Sequence, residues 1–302
     1  MSESELFMRT MTSVGGIFAA GIVLILILGK FNLRQIFTGE LGARYIGWLI
    51  IMPIYMLALF TNAIVGGFLL FIGIFIALRE YSRAAQITPS QSLYLYASVP
   101  ITLLIVIFKP PLFAALPALV LFLLTSVPIL SDDPGKLHGK LRLVSWGYMY
   151  VVWSLSHSIL VLMLPDGKGV LIMIIVGCGL ADIGAYVIGK AIGHTVIAPS
   201  INPRKAWEGL LGDLIGAAIS VTIFASIVPA YNLPVLLGFV LIIGIGSSWG
   251  DIISSMAKRS SEIKDWGNLI PGHGGILDRL NSLIVVLPLT YYYLVLILPV
   301  NP

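Results

Sequence analysis

Charge is what this sequence lacks most. Of its 302 residues, 11% are Asp, Glu, Lys or Arg and 58% are hydrophobic, with a mean hydropathy of +1.00. Soluble domains carry about 25% charged residues. The composition therefore excludes a soluble enzyme and defines an integral membrane protein. Cysteine is nearly absent, and the lone Cys178 excludes an intrachain disulfide. Histidine is scarce as well. His194 and His273 lie too far apart, with too few histidine neighbours, to argue for zinc. The net charge of +4 is modest and forms no basic stripe on a soluble face, so nucleic acid is excluded as a partner. No internal repeat, low-complexity tract or soluble domain is evident.

What the chain has in abundance is apolar runs long enough to span a bilayer, which takes roughly 20 residues. Thr12–Gly29 follows Glu3, Glu5 and Arg9 without a small-residue cleavage site, which predicts a retained span. Tyr45–Leu78 is too long for one helix, and Thr61-Asn62 offers a turn, predicting a hairpin of two. Ala84–Phe108 and Pro110–Ser131 are separated by Lys109-Pro110-Pro111, and Leu143–Pro165 and Gly169–Gly189 follow. Leu214–Gly250 is broken near Pro229 and Pro234 into two, and Leu280–Pro302 closes the chain. The expectation is an all-α integral membrane protein of about ten transmembrane helices, with polar loops forming a site on one side.

Charge in the loops orients this array. Counted by alternate loops, 15 of the 18 Lys and Arg fall on one side, leaving Arg9, Lys109 and Lys168 on the other. Basic loops stay cytoplasmic. Both termini are then expected outside, and the polar loops of the C-terminal half are expected to face the cytoplasm.

Those loops carry the chemistry. Asp182, Asp251 and Asp278 sit in or beside apolar runs, where a carboxylate costs about 2.5–3.5 kcal/mol at mid-helix and marks a functional candidate. Read as a helix, "WGDIISSMAKRSSEIKD" puts Asp251, Ser255, Lys258 and Arg259 on one face. A wetted helix end explains the two cations but not Asp251 beside a long apolar run. In "KDWGNLIPGHGGILDRLNS", Pro271 to Gly275 cannot form a stable helix interior. Its glycines let backbone N–H groups approach a ligand closely. The GxxxxGK[ST] spacing of a Walker loop is absent. Carboxylates, cations and backbone donors together suit a metal-bound polyphosphate. A glycine-rich turn capping the last helix is the plainer alternative. Upstream, Asp182, Tyr186 and Gly189 share a helix face ahead of a loop with Lys205, Trp207 and Glu208. Trp207 reads as an interfacial anchor rather than a base-stacking platform.

These residues resemble the phosphatidate cytidylyltransferases, or CDP-diacylglycerol synthases. That family's signature runs roughly Ser-x-x-Lys-Arg, four residues, Lys-Asp, then Pro-x-His-Gly-Gly-x-x-Asp-Arg-x-Asp. Here it stands as "SMAKR", "SSEI", "KD" and "PGHGGILDRLN", with "DIGAYVIGK" and "NPRKAWEG" as further blocks. The resemblance covers Asp182 to Asn281. It divides the chain into an N-terminal transmembrane region, 1–168, and a catalytic transmembrane region, 169–302. It implies that CTP and phosphatidic acid give CDP-diacylglycerol and pyrophosphate in a bacterial inner membrane. It also implies Mg²⁺ and a second cation held at Asp251, Asp278 and Asn281. Lys258, Arg259, Lys264, His273 and Arg279 would grip phosphates, as would Lys205. Asp182, Tyr186, Glu208, Ser255, Asp265, Gly274 and Gly275 would line the substrate site, and a homodimer is compatible with it.

Three departures stand out. The signature's last Asp is Asn281, the usual Ser-Pro-Lys-Lys-Thr is Asn202-Pro203-Arg204-Lys205-Ala206, and the usual Glu before the signature Ser is Ser254. An inactive membrane scaffold and a CTP-dependent transferase acting on another lipid are the alternatives these leave. An ion-coupled transporter is disfavoured, because polar features crowd the second half only.

Overall fold

A computed structural model describes residues 1–28, 40–130, 132, 141–269 and 274–298. Among these, ten helical rods follow one another. They are α1 (Glu3–Leu28), α2 (Glu40–Phe60), α3 (Ala63–Ala84), α4 (Pro89–Phe108) and α5 (Leu116–Leu130). The sixth, α6, begins at Arg142–Gly147, passes through a π-helical stretch at Tyr148–Trp153 and ends at Ser154–Leu162. Then come α7 (Gly167–Ile192), α8 (Trp207–Phe224), α9 (Leu233–Ser260) and α10 (Leu277–Ile297). Seven are long and apolar enough to cross a membrane. Tyr45–Phe60 within α2 and Pro110–Ser126, which runs into α5, are further apolar stretches among the described residues.

The breaks fall where local chemistry puts them. Asn62 caps α3 by accepting from the Val65 amide at 3.0 Å, and Asn232 caps α9 by accepting from Val235 at 3.3 Å. Pro89 opens α4 at a position where a missing N–H costs nothing. Pro110–Ala115 forms a 3₁₀ turn between α4 and α5.

One feature departs from the all-helical expectation. Between α7 and α8 lies an antiparallel hairpin, β1 (Val196–Ala198) and β2 (Asn202–Ala206), with Val196 opposite Ala206 and Ala198 opposite Asn202.

The core centres on α7, whose Gly167–Cys178 stretch is almost wholly buried. It packs along α8 with backbones nearly in contact. A Cβ at Gly184 would collide with the Gly212 carbonyl, one at Gly212 with the Gly184 carbonyl, and one at Gly216 with the Leu180 carbonyl. Small residues permit this approach where lipid supplies no hydrophobic drive between helices. The same device brings α9 onto α10: a Cβ at Gly250 would lie 2.7 Å from the Ser282 Cα. These contacts set Asp182 and Asp213 around Lys205, and Asp251 beside Asn281.

Candidate functional site

Four side chains from four elements form a row. Lys205 on β2 is buried, and its Nζ lies 3.2 Å from Asp213 Oδ2 on α8 and 3.0 Å from Asp251 Oδ2 on α9. Asn281 on α10 donates its amide to the other Asp251 oxygen at 2.7 Å. Burying an ammonium costs several kcal/mol unless it is paired. Burial alone would lower the Lys205 pKa, but Asp251, Asp213 and Asp182 outweigh it and hold the pKa above the ordinary lysine value. Lys205 is therefore a permanent cation among carboxylates. Beside the row, Asn202 donates to Ser255 Oγ at 3.3 Å, tying the hairpin to α9.

A second group surrounds Asp278. Its Oδ1 accepts from Lys258 at 2.8 Å, and its Oδ2 accepts from the Trp266 amide at 2.9 Å and the Gly275 amide at 3.0 Å. Gly274 holds φ +79°, a left-handed conformation that lets the chain turn into α10. Trp266 is buried, and its indole donates to Ser254 Oγ at 3.0 Å. Asp182, Asp278, Arg279 and Asn281 line one small cavity of about 30 Å³ together with Trp48 and Tyr55 of α2, room for a bound water or an ion.

The structure thus gathers Asp182, Lys205, Ser255, Asp251, Lys258, Gly274, Gly275, Asp278, Arg279 and Asn281 around the junction of α7, α9, α10 and the hairpin. Other expected residues have different surroundings. The Glu208 carboxylate faces its own hairpin, contacting His194 Nδ1 and accepting from the His194 and Thr195 amides at 3.2 Å each. Tyr186 accepts from Lys190, whose ammonium also lies 5.5 Å from the Tyr186 ring centre. Arg259 is exposed and donates to the Ile263 carbonyl at 3.3 Å. Lys264 and Asp265 are exposed on the loop after α9. His273, with Pro271 and Gly272, lies outside the described residues.

Two acidic residues escape the sequence reading. Asp213 is fully buried and directly precedes the apolar run that Asp251 directly follows, so the same rule applied at both ends would have found it. Glu80, at the end of α3, accepts from the Ile276 and Leu277 amides at the start of α10. A separation of 196 residues leaves no local signal for that contact.

The cytidylyltransferase family description matches residues 42–297, and the chain belongs to that family. A phosphatidate cytidylyltransferase of Pseudomonas aeruginosa is 34% identical over 259 residues, which is 82% of this chain and 94% of that protein. An uncharacterized Escherichia coli protein, YnbB, is 34% identical over 228 residues, 73% of this chain and 76% of its own length. A phosphatidate cytidylyltransferase of Synechocystis is 44% identical over 139 residues, 45% of this chain and 46% of its own.

Proposed function

We propose that this protein transfers a cytidylyl group from CTP to phosphatidic acid, releasing pyrophosphate and CDP-diacylglycerol at the cytoplasmic face of a bacterial inner membrane. The observation that carries it is the row Asp213–Lys205–Asp251–Asn281, in which two separate signature blocks meet through side chains. The Pseudomonas and Synechocystis relatives bear the name of that activity.

The donor set fits Mg²⁺. The small cavity is lined by oxygen-bearing side chains of Asp182, Asp278 and Asn281, the last of them bonded to Asp251, and hard divalent cations take oxygen donors. Among the described residues no three His, Cys, Asp or Glu side chains close a cage on their own. Phosphate oxygens of a nucleotide would complete the shell, as is usual for Mg²⁺. Asp251, Asp278 and Asn281 would hold the ion. When bound, Mg²⁺ withdraws negative charge from the phosphates. Lys205 sets a fixed positive charge against Asp251. Lys258, Arg259, Lys264, His273 and Arg279 draw the triphosphate in. Asp182, Tyr186, Glu208, Ser255, Asp265, Gly274 and Gly275 shape the substrate site. In the reaction a phosphatidate oxygen bonds to the α-phosphorus of CTP, and the bond from that phosphorus to the β-phosphate oxygen breaks. The attacking phosphate is already ionised, so alignment and charge neutralisation carry the rate rather than a general base.

One observation favours a second reading, a catalytically weak family member. Both Asp251 oxygens already have protein partners, and so do both Asp278 oxygens, one from Lys258 and one from the Trp266 and Gly275 amides. A single experiment separates the two. Purified protein is incubated with labelled CTP, Mg²⁺ and a panel of phospholipids. Labelled lipid formed from phosphatidic acid supports the transferase. Label in another lipid reassigns the acceptor, and no labelled lipid supports the weak member.

A further inference from the structure

Glu80 has no place in the site as the resemblance describes it, yet it holds the backbone that opens α10. Its two carboxylate oxygens accept separately, Oε1 from the Ile276 amide at 3.1 Å and Oε2 from the Leu277 amide at 2.9 Å. Those amides open α10, where N–H groups have no partner within the helix and the helix dipole favours a negative charge. Two glycines make room for the carboxylate. A Cβ at Gly275 would strike the Glu80 oxygens, and one at Gly267 would lie 2.5 Å from Oε1. The neighbouring Tyr81 fixes this end of α3: its hydroxyl donates to the Leu143 carbonyl at 2.8 Å, and its ring centre lies 5.8 Å from that of Trp266. Trp266, Gly275 and Asp278 are in turn joined by hydrogen bonds.

We infer that Glu80 is a positioning residue for cytidylyl transfer: it holds Gly275, Ile276 and Leu277 at the start of α10 so that Asp278 faces the nucleotide phosphates. This deepens the proposed function and rests on it. A bland alternative is a helix cap that only stabilises α10. A second carboxylate so near Asp278 makes a poor choice for a mere cap, because like charges disfavour each other there. What the carboxylate offers is two acceptors on a short side chain anchored to another helix. A displacement of Asp278 by one ångström is enough to cost about a hundredfold in rate.

The test combines kinetics with hydrogen exchange on the full-length protein in detergent. Glu80→Gln keeps the side-chain volume but replaces one acceptor with an NH₂ group. Gly267→Ala leaves Glu80 intact and pushes a methyl group into its carboxylate. Both variants are expected to speed amide exchange at Ile276 and Leu277. Both should lower kcat per folded molecule by about a hundredfold and raise the Mg²⁺ concentration for half-maximal rate, with KM for the lipid unchanged. A cap that is merely structural would lower the amount of folded protein and leave kcat per folded molecule and Mg²⁺ dependence as in the wild type. That result overturns the inference, as does wild-type exchange at Ile276 and Leu277 in both variants. If the wild-type protein transfers no cytidylyl group, the proposed function falls and the positioning role falls with it. The exchange data then show only whether the clamp itself exists. Should Glu80→Gln fail to fold, Gly267→Ala alone carries both readouts.

Discussion

Asn281 reaches across from α10 to give its amide hydrogen to Asp251, 2.7 Å away, while its own oxygen accepts from the Ser282 amide at 2.9 Å. An aspartate at 281 would instead set two carboxylates face to face, an arrangement that asks for a cation between them. In this chain the Asn281 amide and the Lys205 ammonium between them satisfy both Asp251 oxygens. Metal binding must therefore compete with a hydrogen bond already made.

The Asn281→Asp variant follows directly. It should lower the Mg²⁺ concentration needed for half-maximal cytidylyl transfer, because an extra full charge attracts the ion and the competing donor is gone. A Mg²⁺ titration of transfer rate measures it. An unchanged or higher requirement would show that residue 281 is not a metal ligand.

Asp251→Asn and Asp278→Asn should each reduce transfer by about 10²–10³-fold or more, the scale for removing one group that stabilises developing charge. Both keep the side-chain shape, so the purified proteins should elute as the wild type does in detergent. Near-normal turnover in either would sink the assignment of that residue.

Asp213→Asn should destabilise the fold by about 1–3 kcal/mol. Stranding a buried charge altogether costs about 3–5 kcal/mol, and here Lys205 keeps Asp251. The Lys205 pKa is raised on folding, so its pairing is complete below the ordinary lysine value of 10.5 and is lost only as pH climbs through the higher folded value. The ammonium therefore persists between about pH 7 and pH 9, and the penalty should be the same at both ends of that range. Thermal unfolding of both proteins across the range checks this, and a penalty that vanishes by pH 9 would contradict it.

The bias of 15 cations to 3 predicts a cytoplasmic Lys264. With Cys178 replaced by Ala, a Lys264→Cys probe should resist an impermeant thiol reagent in intact cells and react after lysis. Labelling in intact cells would invert the topology.

Much of this was legible in the chain itself. The turn at Thr61-Asn62, the break near Pro229 and Pro234 and the polar face of α9 follow from local rules of capping, proline geometry and helical spacing. What lay hidden depends on tertiary approach. Lys205 and Asp213 are eight residues apart across a strand-to-helix junction, where no periodicity applies. Glu80 contacts a segment nearly two hundred residues away. The hairpin holding Lys205 was also invisible, because its strands are three and five residues long and too short to show alternation.

The hairpin has a consequence for how such a protein enters a bilayer. Lys205 ends up almost wholly enclosed, yet it belongs to neither helix flanking it. Were it on α7 or α8, its ammonium would have to be dragged into hydrocarbon while the helix inserted, at a cost of several kcal/mol. Carried on a connecting ribbon, it needs no place inside a spanning helix, and it reaches Asp213 and Asp251 from the loop between α7 and α8.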